Sequence, residues 1–124
     1  MYVISSTDAP RFDLPGVEFT GLASPSRGSN DVCTWRITVE PHLDSDQAHT
    51  LDRDEIFMVV SGAIRLAPDA TVLRAGDAAV VPAGTPIQLS NPDAEPAVVH
   101  VVIRAGFVGT MQDGTTVDTP PWAR

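Results

Sequence analysis

A chain of 124 residues with eight basic and sixteen acidic side chains carries a net charge of −8, which excludes nucleic-acid backbones and anionic membranes as partners, since both require a basic patch. All eight basic residues are arginines, so a Schiff-base lysine, a phosphate-loop lysine and a lysine base are excluded as well. The single cysteine, Cys33, leaves no partner for an intrachain disulfide and no cysteine-held zinc cluster.

The length is that of one domain, 1–124. The first thirteen residues, MYVISSTDAPRFD, lack a basic start followed by an apolar run, and no stretch reaches membrane-spanning length, so the expected location is the cytoplasm. Residues 1–31 offer a short apolar Tyr2–Ile4, an edge strand at Val17–Phe19 and the loop SPSRGSND. Val32–Glu40 then alternates, with Cys33, Trp35, Ile37 and Val39 on one face and polar residues on the other, which predicts a half-buried strand.

Pro41–Asp46 reads as a loop, and HTLDRDEIFMVVSG, 49–62, combines a histidine, an acidic cluster and a dense apolar strand. Glu55, Phe57 and Val59 share one strand face, while Ile56, Met58 and Val60 share the other. Both faces being apolar, the strand is expected to be buried on both sides, and Glu55 then needs a partner, a proton or water. Ser61-Gly62 predicts a hairpin turn back into Ala63–Ala67. Further strands are expected at Thr71–Arg74, Ala78–Val81, Pro86–Ser90 and Ala97–Arg104, with a turn-rich tail from Phe107 whose Trp122 is expected to pack onto the barrel or a neighbouring subunit. Short strands at this spacing, with no sustained helical periodicity, mean an all-β sandwich or barrel.

His49, Glu55 and Gly62 stand at the spacing of one motif, and Gly76, Pro82, Gly84 and Asn91 at that of a second. Together they resemble the two motifs of the cupin superfamily. The resemblance implies a cupin-type jelly-roll β-barrel with its core at about 32–104, a ligand held inside and, commonly, a homodimer. It also implies a divalent metal held by three histidines and a glutamate. Here two of the histidine positions are Leu51 and Ile87, and the first glycine position of the first motif is Leu43 or His42.

His49 and Glu55 alone are too few donors for a transition metal. A third ligand would have to come from His100, if its strand turns that side chain inward, or from Asp52 or Asp54. Without metal, burial raises the pKa of Glu55 unless His49 supplies a hydrogen bond or charge, and the two become an acid and base in an apolar pocket lined by Trp35, Leu51, Phe57, Ile87 and His100. Three functions are weighed. The first is a metal-independent isomerase, lyase or cyclase using His49 and Glu55 on a small molecule, as in natural-product tailoring by some small cupins. The second is a metal-dependent dioxygenase or isomerase with rearranged ligands, and the third a non-catalytic cupin binding a sugar or other metabolite. Cys33 is expected in the core, and His42 and the set Asp44, Asp46, Asp52 and Asp54 at the solvated surface.

Overall fold

Period-two alternation broken every few residues by glycine or proline leaves no segment able to bury a helical stripe. The computed structural model describes residues 1–124 and is accordingly built of twelve strands. They are β1 Arg11–Leu14, β2 Val17–Gly21, β3 Val32–Val39, β4 His49–Leu51, β5 Glu55–Ser61 and β6 Ala63–Ala67, followed by β7 Val72–Arg74, β8 Ala78–Val81, β9 Gln88–Ser90, β10 Ala97–Arg104, β11 Gly109–Met111 and β12 Thr116–Val117. Two single 3-10 turns, Pro25–Arg27 and Pro121–Ala123, complete the elements, and no helix is long and apolar enough to cross a membrane.

One layer is a six-stranded sheet ordered β1-β2-β3-β10-β5-β8. The other consists of two three-stranded sheets, β12-β11-β4 and β7-β6-β9, linked where the His49 and Ile87 backbones exchange hydrogen bonds of 3.2 and 3.0 Å. All neighbouring strands run antiparallel. The arrangement is a jelly roll whose sheets stack as a sandwich rather than closing into a barrel. Strands β1, β2, β11 and β12 belong to these sheets, so the folded unit extends on both sides of 32–104; β1, β11 and β12 are short and carry few apolar residues, which is why periodicity does not reveal them.

Two expectations are corrected. Strand β5 does not pair with β6: it lies between β10 and β8, while β6 lies between β7 and β9 in the opposite layer. Gly62, at φ 74°, therefore passes the chain from one layer to the other instead of closing a hairpin. Nor is β5 buried on both sides. Glu55, Phe57 and Val59 point into the sandwich, but Met58 and Val60 stand 38% and 51% exposed on the outer face, because no second layer covers that side.

Across the inner face, Trp35, Val101, Phe57 and Ala79 are aligned neighbours on β3, β10, β5 and β8. Sixteen buried residues form one hydrophobic cluster, Cys33 among them, its thiol donating to the Ala123 carbonyl at 3.1 Å. Asn91, the last residue of the second motif, is 2% exposed and ties three segments together. Its amide nitrogen donates to the carbonyls of Val39, Glu40 and Glu95 at 3.4, 3.1 and 2.8 Å, and its oxygen accepts from Asp93 N at 3.0 Å. Asn91→Ala strands these buried groups and is expected to cost about 3 kcal/mol, measurable by urea unfolding.

Candidate active site

Between the layers lies a cavity of about 670 Å³, within the range of small-molecule sites. Its deep wall is the buried inner face of the six-stranded sheet, with Trp35, Ile37, Phe57 and Val101, and its opposite wall brings His49 and Leu51 of β4, Ile87, and Met111 of β11. The mouth is exposed and acidic, with Asp44, Asp46 and Asp118 around it.

Glu55 opens β5, and strand alternation turns its side chain inward beside Phe57. In register with it stand Ile103 on β10 and Val81 on β8, so the side chain stands between apolar neighbours at the cavity wall and the residue is 5% exposed. It makes no ion pair and no side-chain hydrogen bond with the protein; the three ion pairs, Arg11–Glu18, Arg53–Asp52 and Arg74–Asp93, all lie elsewhere. Burial pushes its pKa up from 4.5 to about 7. His49 is held in place by β4 pairing with Met111 and by the backbone bridge to Ile87. Desolvation lowers its pKa below the ordinary 6.5, opposed in part by a hydrogen bond to the Gln47 carbonyl. The two groups share the cavity without forming an ion pair. Near neutral pH it holds a neutral imidazole and a carboxyl that keeps much of its proton.

Of the residues expected to line a pocket, Trp35, Leu51, Phe57 and Ile87 all do, together with His49 and Glu55. His100 does not: along β10 the buried residues are Ala97, Val99, Val101 and Ile103, so His100 faces outward, beside Arg36 and Met58 on neighbouring strands. Asp52 and Asp54 are engaged outside the cavity, accepting from the Val108 and Ala83 backbone N–H groups at 2.8 and 2.9 Å. Each braces one loop against another.

No three His, Cys, Asp or Glu side chains converge to hold a metal ion. Leu51 and Ile87 present hydrocarbon where the resemblance implies imidazole, and the substitutes considered for a third ligand point elsewhere. The residues present do not fit a three-donor centre.

Phe19, Phe107, Met111 and Trp122 also line the cavity, and sequence reasoning did not assign them to it. Trp122 lies flat on Phe19 at 3.9 Å and edge-on to Trp35 at 6.5 Å. Arg27 holds it there, donating to the Trp122 carbonyl at 2.6 Å. Aromatic side chains in an otherwise polar tail were the available signal.

The sequence matches the family model described as the cupin domain over residues 35–103. No curated protein matches it. Among solved structures, an RmlC-like cupin protein from Ralstonia eutropha JMP134 is similar with a TM-score of 0.75 at 13% identity, covering 97% of this chain and 78% of that one. The polyketide cyclase RemF from Streptomyces resistomycificus has a TM-score of 0.74 at 16% identity, with 84% and 79% covered. A sugar phosphate isomerase of the cupin superfamily from Silicibacter pomeroyi DSS-3 has a TM-score of 0.63 at 23% identity, with 89% and 81% covered. Likeness at these identities establishes the fold.

Proposed function

The chain belongs to the cupin family, and on that footing we propose that it is a small-molecule enzyme of isomerase, lyase or cyclase type, with His49 as base and Glu55 as acid. The observation that carries the proposal is a carboxyl kept buried with no protein partner at a cavity wall. Such a group costs stability, and local violations of folding logic concentrate at functional sites. Cyclase and isomerase are also the activities named for two of the structural neighbours.

Held neutral by desolvation, the His49 imidazole carries one ring nitrogen without a proton, able to accept one. A proton leaving the carbon beside a substrate carbonyl passes to His49, while Glu55 gives its proton to the carbonyl oxygen. The products are an enol, an imidazolium and a carboxylate, with all protons accounted for. Return of the proton to a different carbon isomerises the substrate, expulsion of a β-substituent eliminates it, and attack of the enol carbon on a second carbonyl closes a ring.

Exchange of the α-protons of 2-tetralone in D2O, followed by NMR with EDTA-treated protein, tests the acid–base step. The wild type is expected to accelerate exchange, and His49→Ala to lose about 10²–10⁴-fold of that rate while retaining binding. Exchange that appears only on adding a divalent metal favours the metal-dependent alternative. Binding without exchange in the wild type favours a non-catalytic binder.

A further inference from the structure

We propose that the cavity selects a ring-bearing substrate that carries no phosphate or carboxylate group. This inference rests on the cavity being the substrate site, and two independent features of the lining support it.

The first is the aromatic content. Five of the chain's seven aromatic side chains line the cavity, both tryptophans among them. The rings follow one another: Phe19 stacks on Trp122 at 3.9 Å, Trp122 meets Trp35 edge-on at 6.5 Å, and Trp35 stacks on Phe107 at 5.8 Å. Such a wall offers π-faces and edges to a flat ligand and little to a saturated polar one.

The second is the sign of the charges. Asp44, Asp46 and Asp118 surround the mouth, Glu55 stands inside, and none of the eight arginines lines the cavity. Recognition of phosphate or carboxylate ordinarily uses a guanidinium, an ammonium or a helix N-terminus. None is available here, since the chain has no lysine and its helical elements are two single 3-10 turns. An anion would pass three exposed carboxylates and then lose its hydration against hydrocarbon with no counter-charge. A neutral hydroxyl or carbonyl meets no such penalty and can exchange hydrogen bonds with the unpartnered carboxyl of Glu55, which is 5% exposed.

A matched pair of probes tests this without requiring turnover. Binding of 2-naphthol and 2-naphthyl phosphate is measured by titration calorimetry at pH 7, for the wild type and for an Asp44→Asn/Asp46→Asn/Asp118→Asn variant whose melting temperature confirms folding. The wild type is expected to bind naphthol at least about tenfold more tightly than the phosphate, and the gap to narrow in the variant. Equal or tighter binding of the phosphate overturns the charge inference while leaving the cavity as a binding site. A naphthol preference unchanged in the variant overturns the role given to the carboxylates. Failure of both probes to bind overturns the inference and the reading of the cavity together.

Discussion

Replacing Glu55 by glutamine is expected to remove most of the turnover and to stabilise the protein in alkaline solution. The folded-state pKa of Glu55 is raised from 4.5 to about 7 by burial. A raised value means that the group's contribution to stability is fully present below the unfolded value near 4.5 and is lost as pH rises through about 7. At 1.36 kcal/mol per pKa unit, the alkaline penalty is about 3 kcal/mol. Glu55→Gln keeps the shape and removes the ionisation. It should therefore match the wild type near pH 4.5 and exceed it by up to about 3 kcal/mol at pH 8.5 in urea unfolding. An equal difference at both pH values would mean that the carboxyl titrates normally.

The same substitution removes the proposed acid and should lower the rate of an enolisation-dependent reaction by about 10²–10⁴-fold. Wild-type activity should fall above about pH 7, as Glu55 loses its proton. It should also fall on the acid side, below the ordinary histidine value of 6.5, as His49 gains one. The two limbs bound the working range, and glutamine at position 55 should erase the alkaline limb along with most of the rate.

The largest structural effect is expected at Gly62. Its φ of 74° lies in the left-handed region, and a Cβ there would sit 2.5 Å from the Pro96 carbonyl oxygen and 2.8 Å from Ala97 Cα. Both are backbone atoms, and Ala97 opens the central strand β10, so neither can step aside without disturbing the six-stranded sheet. The conformational cost of about 1–2 kcal/mol adds to an overpacking cost of about 1–3 kcal/mol. Gly62→Ala should lower the melting temperature by roughly 10 °C or more. Gly76→Ala provides the comparison, with a φ of 91° but nothing within 4 Å of its Cβ. It should lose only the conformational part, and equal losses at the two sites would remove the clash from the explanation.

Strand positions were legible where local chemistry is strong. Alternation marked β3, and the nearly continuous apolar run of β10 marked its ends without error. Strands β11 and β12 escaped notice because GTM and TV carry almost no pattern. With them went Met111, and with the tail Phe107 and Trp122. Gly62 was legible as a turn, but its partners were not. A positive-φ glycine after a strand serves a hairpin or a crossing between layers equally well, and which one follows depends on β8 and β10 competing for the edges of β5.

His100 shows the same limit from the other side. In an all-apolar run the period of two is present, but its phase carries no label, so whether the histidine faces in or out depends on its pairing with β3 and β5. Local sequence was enough to determine the all-β class, the shared strand face of Glu55 and Phe57, and the hydrocarbon side chains of Leu51 and Ile87 at positions where the resemblance implies imidazole, because strand alternation and side-chain chemistry act within a few residues. Only the tertiary arrangement decided that Glu55 has no partner, that His100 lies outside, and that the tail supplies an aromatic wall. Burial and charge environment are set by elements distant in the chain, and they exist only once the sheets have stacked.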